Sequence, residues 1–154
     1  MTLPRARRPD DGSAVVEFVT LGVLLLVPLV YLVLTLGRLQ AASFAVDGAA
    51  REASRAFTTA GDDVTGRARA VAAVRLGLLD QGFDTDAATA TRISCSATPC
   101  LTPRARVEVQ VSVAVVLPGI PGFVDRVAAT HLTVRSAQVA TVDAFGSAAQ
   151  GAGG

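Results

Sequence analysis

The fold is set by an uncharged run of 20 residues between Glu17 and Arg38, which reads FVTLGVLLLVPLVYLVLTLG at positions 18–37. A helix of this length spans about 30 Å, the thickness of the hydrocarbon core of a bilayer. The rest of a 154-residue chain is too short to surround such a helix as a globular core. The mean hydropathy of the whole chain, +0.47, is also high for a soluble protein. The sequence therefore predicts one transmembrane helix at residues 18–37.

The charges that flank this run predict its orientation. Arg5, Arg7 and Arg8 precede it, and basic residues favour the cytoplasmic side of a membrane. We therefore expect the N-terminus in the cytoplasm, the C-terminal part outside, and the protein in the inner (cytoplasmic) membrane. A secretory signal cut near Ala41–Ala45 is the competing interpretation. The run is longer than a signal peptide needs, and its helical pattern continues, so a retained helix is favoured.

The helical pattern continues beyond the run, to Phe57. Apolar residues at spacings of three and four form one narrow, alanine-rich stripe: Leu39, Ala42, Val46, Ala49, Ala53 and Phe57. Thr58-Thr-Ala-Gly61 then ends the pattern, and a single long helix is predicted at residues 13–59. Pro28 removes one helix hydrogen bond and is expected to kink this helix, as membrane helices tolerate.

A second, shorter helix is predicted from Asp62 to Leu79. Asp62 or Asp63 is the expected N-cap, and Gly82 is expected to end the helix. Its predicted apolar face consists of Val64, Ala68, Val71, Val74 and Leu78.

Beyond Gly82 the periodicity changes to two, which is typical of strands. Val107, Val109, Val111, Val113 and Val115 alternate with mostly polar residues in the clearest strand of the chain. Residues 90–96 are predicted to form a partner strand. Residues 127–142 are predicted to form a third, with a bulge near Ser136-Ala137 where the apolar alternation slips.

These elements predict an α+β protein with a long N-terminal transmembrane helix. Its exported domain is expected to contain a short helix and a 3–4-stranded antiparallel sheet, packed on the second helix or the base of the long one. The predicted boundaries are a basic leader at 1–12, the long helix at 13–59, the extracytoplasmic domain at 60–145 and a flexible tail at 146–154.

Cys95 and Cys100 are the only cysteines, and they flank a turn between two predicted strands. In an exported domain this arrangement predicts a disulfide. A metal site needs more ligands than two cysteines offer, and the single histidine, His131, lies alone in a strand pattern. A redox motif would prefer two residues between the cysteines rather than four. No metal and no cofactor is predicted.

Glu17 is an acidic residue one turn inside an apolar segment that opens at Ser13. A carboxylate in this position is costly without a partner, and such residues are functional candidates by default. The alternative is that Glu17 marks the cytoplasmic end of the span and faces lipid headgroups, where the cost is far smaller.

Gly12, followed by four residues and then Glu17-Phe18 at the start of a long apolar helix, resembles the processing region of type IV prepilins. Within that group the chain most resembles the TadE-like proteins of tight-adherence (Tad/Flp) pilus systems. Those also have an Arg-rich leader and an Ala-rich helix after the membrane segment. The resemblance covers roughly residues 12–57, about a third of the chain.

The resemblance implies a processing and assembly mechanism. An aspartyl-type prepilin peptidase would cut after Gly12 and leave Ser13 as the new N-terminus. Glu17, with Phe18 beside it, would then contact a neighbouring subunit through that subunit's N-terminal amine. The implied partners are the membrane, the peptidase, other pilin-like subunits and the Tad inner-membrane assembly platform.

The sequence contains no catalytic constellation, phosphate loop or paired-carboxylate motif, and it has one histidine and no lysine. We therefore expect a protein that is not an enzyme and has no small-molecule substrate. A net charge of +1 gives no electrostatic footprint for nucleic acid.

Two functional hypotheses remain. One is a pilin-like structural or assembly subunit of a Tad-type (type IVb) pilus or related secretion system, which either enters a surface pilus or stays in the membrane. The other is a membrane-tethered extracytoplasmic binding domain of the cell envelope.

Overall fold

A computed structural model of the chain describes residues 13–116 and 131–144. It contains three helices, α1 (Ser13–Thr58), α2 (Asp63–Asp80) and α3 (Ala87–Ala90), and three strands, β1 (Thr91–Cys95), β2 (Arg106–Val116) and β3 (His131–Thr141). This is the predicted α+β arrangement, with three strands in the part of the chain that is described. The predicted leader and tail, and residues 127–130 of the third strand, lie outside that part.

The chain divides into two compact units, residues 1–37 and 38–154. In the first unit, α1 continues as an α-helix past Pro28. The large apolar side chains of this part of the helix are exposed. The hydroxyls of Thr20 and Thr35 donate to the carbonyls of Val16 and Tyr31, at 2.7 and 2.8 Å. These hydroxyl groups are therefore satisfied within the helix, as an apolar environment requires.

In the second unit, the rest of α1 is a core element. The predicted stripe is confirmed: Ala42, Val46, Ala49, Ala53 and Phe57 are buried, and Leu39 packs at their edge. Ala45, Ala50 and Ser54 are buried as well and widen the stripe. Because most of these residues are alanines, the neighbouring backbones can approach this part of α1 closely.

Helix α2 has a standard cap at each end. Asp62 is the N-cap, and its carboxylate accepts from the backbone amides of Val64 and Thr65 at 3.0 and 2.9 Å. At the other end Gly82 adopts φ +73°, and the amides of Gly82 and Phe83 donate to the carbonyls of Leu79 and Leu78. This is a Schellman motif, which needs glycine because its C′ residue is left-handed.

The predicted apolar face of α2 is wrong in two of its five members, Val64 and Ala68. The buried residues of α2 are Gly66, Ala70, Val74 and Leu78, and Val71 packs against the core with partial exposure. Ala68 is exposed, and Val64 is 81% exposed. The reason is close helix packing, because a Cβ added at Gly77 would lie 3.2 Å from the Cβ of Ala49 on α1. The lack of a side chain at Gly77 permits this approach, and Gly66 and Ala70 face the core in place of Val64 and Ala68.

The sheet is antiparallel in the order β1-β2-β3. All five odd-numbered valines of β2, from Val107 to Val115, face the core and are at most 2% exposed, as predicted. Strand β1 pairs with the first half of β2, from Thr91 opposite Val111 to Cys95 opposite Val107. The predicted partner strand is therefore confirmed within one residue at each end.

The bulge predicted near Ser136-Ala137 is wrong. Strand β3 pairs with β2 one residue to one over its whole length, from His131 opposite Val116 to Thr141 opposite Arg106. The alternation slips because polar residues occupy the core-facing side: Ser136 and Gln138 both donate to the carboxylate of Asp47 on α1. A polar partner on the helix satisfies these side chains, so the strand needs no extra residue.

Candidate functional site

The candidate processing and assembly residues lie at the start of α1. Ser13 is the first helical residue, and the side chains of Glu17 and Phe18 are exposed, Phe18 to 78%. Gly12 lies outside the described residues. Across residues 13–116 and 131–144, the carboxylate of Glu17 has no hydrogen-bond or ion-pair partner. The roles proposed for these four residues stay predictions.

This part of α1 also provides the candidate membrane span. Within the described part of the chain, one helix is long and apolar enough to cross a bilayer, and it lies near the N-terminus. None of its most apolar window is buried against the protein. A soluble core helix would be mostly buried, so full exposure of this window favours contact with lipid and indicates a single-pass membrane anchor.

The second unit begins with an arginine that is held by the end of α2. The Arg38 guanidinium lies 4.7 Å from the centroid of the Phe83 ring and donates to the Gly82 carbonyl at 3.4 Å. A guanidinium over an aromatic face is a cation–π contact worth about 0.5–1 kcal/mol at an exposed site. Arg38 therefore fixes α1 to the C-terminal end of α2, a role that its position after the apolar run did not predict.

Asp47 joins α1 to the far strand of the sheet. Its carboxylate accepts from Ser136 Oγ at 3.2 Å and from Gln138 Nε2 at 2.9 Å. It also forms an ion pair with Arg51 one turn along α1. The sequence pattern indicates only the local pair with Arg51, because contacts over about 90 residues leave no periodic signal.

Cys95 and Cys100 form the predicted disulfide, with their Cα atoms 5.3 Å apart. The turn that it closes is tied to α2, because the Asp63 carboxylate accepts from the backbone amides of Cys100 and Leu101 at 2.9 and 3.1 Å. Asp62 caps α2, and Asp63 is thereby free to hold this turn. The sequence shows two adjacent acids at the start of α2. Only the structure shows that Asp62 caps the helix and Asp63 holds the disulfide turn.

Hydrogen bonds to the N-cap carboxylate also affect its titration. The backbone amide and hydroxyl of Thr65 hold the pKa of Asp62 below its ordinary value, with smaller contributions from the Val64 amide and the charge of Arg69. Among the described residues, no group of three or more histidine, cysteine or acidic side chains could hold a metal ion.

Residues 12–55 match the model of the family described as TadE-like protein. The resemblance predicted from Gly12, Glu17, Phe18 and the alanine-rich continuation is therefore confirmed over this segment. The match covers less than a third of the chain, and it shows a likeness of this segment to TadE-like proteins. No curated protein and no solved structure matches the chain.

Proposed function

We propose that this chain is a structural or assembly subunit of a Tad-type (type IVb) pilus or related secretion system, and not an enzyme. The observation that carries the proposal is the TadE-like match, which starts at Gly12 and runs through Glu17 and the membrane helix. The segment with a family likeness is therefore the one that would be processed and assembled.

Processing in this proposal is hydrolysis of the peptide bond between Gly12 and Ser13 by a prepilin peptidase. The products are a leader with a new carboxylate at Gly12 and a mature chain with a free amine at Ser13. An α-amino group has a reference pKa of about 7.7–8.0, so this amine is largely cationic near neutral pH. Cleavage also removes Arg5, Arg7 and Arg8, which hold the N-terminus at the cytoplasmic face.

Assembly in this proposal uses the charge that cleavage creates. Glu17 is exposed in an otherwise apolar segment and has no partner in the described part of its own chain. An unpaired carboxylate near the membrane is costly, and pairing with the Ser13 amine of a neighbouring subunit would offset that cost. Phe18 beside it is exposed and would add apolar contact area between the subunits.

The second unit fits an extracytoplasmic location in this proposal. Disulfides persist in oxidising compartments, and the Cys95–Cys100 bond lies on the C-terminal side of the membrane helix. Together with the leader arginines, this supports a cytoplasmic N-terminus and an exported domain, in the inner membrane or a fibre that grows from it.

The test is a Glu17→Gln variant expressed in the native host, with Glu52→Gln as the matched control. Both acids are exposed on α1, but Glu52 lies outside the apolar run and pairs weakly with Arg55 at 3.8 Å. We expect Glu17→Gln to reduce pilus formation, and Glu52→Gln to leave it unchanged, with both proteins present at normal levels.

The alternative of a tethered binding domain predicts a different result. In that case Glu17 only marks the membrane boundary, and Glu17→Gln behaves like Glu52→Gln in every assay. Normal pilus formation by both variants, with the leader still attached to the wild-type chain, would replace the pilus proposal with that alternative.

A further inference from the structure

The outer face of the sheet, which points away from the helices, carries an arginine on each edge strand. Arg92 of β1 lies opposite Gln110 of β2, and Arg135 of β3 lies opposite Ser112 of β2. Gln110 and Ser112 are two residues apart, so both point to this outer face. The two arginines therefore approach the same part of the central strand from its two sides.

These four side chains line a concave space of about 280 Å³. Gln110 and Ser112 are only half-exposed, whereas the other outward residues of β2 are all exposed: Arg106, Glu108, Ala114 and Val116. The surface is thus recessed where the two arginines flank it. Gln110 and Ser112 form the floor of this space, and Arg92 and Arg135 form its walls.

Within the described part of the chain, neither arginine of this space forms an ion pair with an acid. The two ion pairs found there involve other residues, and neither Arg92 nor Arg135 makes a side-chain hydrogen bond. The nearest outward acid on β2 is Glu108, which lines an adjoining concave space with Arg92 and Gln110 but forms no ion pair with Arg92. Two guanidinium groups, an amide and a hydroxyl, all of them able to donate hydrogen bonds, therefore line one concave space.

We propose that Arg92, Gln110, Ser112 and Arg135 form a binding site for a phosphate-type oxyanion. Guanidinium groups bind phosphate oxygens through paired, charge-assisted hydrogen bonds. Donors from two walls and a floor suit a tetrahedral anion, whose oxygens point in several directions, better than a planar carboxylate. The anion is either free phosphate or the phosphodiester of a lipid headgroup, since both present the same oxygens. This site is independent of processing at Gly12.

The test is a titration of the full-length protein in a non-ionic detergent, followed by NMR of the backbone amides. The probes are inorganic phosphate, a short-chain phosphatidylglycerol below its micelle concentration, and acetate. We expect saturable shifts centred on Gln110 and Ser112 with either phosphate probe, and a weaker response to acetate. Tighter binding of the lipid assigns the site to headgroups, and tighter binding of inorganic phosphate assigns it to the free anion.

Two variants separate a specific site from general positive charge. Arg92→Gln with Arg135→Gln should weaken phosphate binding about tenfold. The control, Arg69→Gln with Arg75→Gln, removes the same charge from exposed positions on α2 and should leave binding unchanged. Equal loss in both double variants, or acetate binding as tight as phosphate, would overturn the proposal.

A third variant covers the case in which the arginine changes alter folding. Ser112→Asp places a carboxylate on the floor of the site, in a half-exposed position that a small side chain already occupies. It should abolish phosphate binding while the spectrum keeps the dispersion of the folded protein. Retained phosphate binding in a folded Ser112→Asp protein also contradicts the proposal.

Discussion

The two halves of α1 are both apolar, but their side chains make contact with different surroundings. From residue 14 to residue 37 the helix carries mainly leucine and valine, and these side chains are exposed. From Ala42 to Phe57 its apolar face is mainly alanine, and that face is buried against α2 and the sheet. Large side chains suit a fluid lipid surround, whereas alanine allows fixed helices to approach closely. Side-chain size therefore distinguishes the two halves better than hydrophobicity does.

The largest loss of stability is expected from removing the aromatic ring of Phe57, at the C-terminal end of the buried half of α1. Phe57 is fully buried, and Phe57→Ala should lower the free energy of unfolding by about 3–5 kcal/mol, as a core Phe truncation does. Thermal unfolding in detergent, followed by near-ultraviolet circular dichroism, measures this change. Phe44→Ala and Phe18→Ala are the matched controls, because these rings are 74% and 78% exposed. If either control costs as much as Phe57→Ala, the contrast between the halves is wrong.

A smaller effect is expected from the disulfide, which constrains only the second unit. Replacing Cys95 and Cys100 with serine should cost about 2 kcal/mol, because the closed loop is short. The unfolding transition of the second unit should move to lower temperature, while the helicity of the first unit, followed by far-ultraviolet circular dichroism, persists after that transition. Simultaneous loss of both would show that the units do not unfold separately.

Next in size is the polar contact between α1 and β3. Asp47→Ala leaves the half-buried Ser136 and Gln138 without their acceptor and should cost about 1 kcal/mol. Urea unfolding measures this difference. The control Glu52→Ala removes only an exposed ion pair and should change the stability by close to zero. Equal costs for the two variants would mean that Asp47 acts only through its surface charge.

The smallest effect concerns the pH dependence of the α2 cap. The pKa of Asp62 is lowered in the folded protein, chiefly by hydrogen bonds from Thr65. Its ionised form therefore stabilises the fold above the ordinary carboxyl pKa, and this contribution is lost as the pH falls through the lowered value. Asp62→Asn keeps a capping side chain without the charge. The melting temperatures of the two proteins should differ at neutral pH and converge in acid, and a constant difference would contradict the assignment.

The sequence predicted most of the fold because its periodic signals are strong. The stripe from Leu39 to Phe57 and the alternating valines of β2 each bury one face, and the structure places both in the core. The disulfide was also predictable, since two cysteines flank a turn. Each of these features depends on residues that are close in sequence.

The failures involve contacts between elements that are distant in sequence. Val64 and Ala68 were predicted on the buried face of α2, but with Gly77 packed closely on Ala49 the helix buries Gly66 and Ala70 instead. The slip in β3 suggested a bulge, but Asp47, some 90 residues earlier, accepts the polar side chains instead. The contacts of Arg38 with Phe83 and of Asp63 with the disulfide turn also join elements that are distant in sequence. The periodicity of a single helix or strand therefore cannot predict them.

The central claim, prepilin-type processing, is tested most directly by the intact mass and N-terminal peptide of the protein purified from its native membrane. The account predicts a mature chain that begins at Ser13. A Gly12→Leu variant in the same host should keep its leader, because a bulky residue there hinders the extended backbone that a protease cleft requires. A wild-type chain that still carries Arg5–Arg8, or one that begins near Ala41–Ala45, would contradict the account.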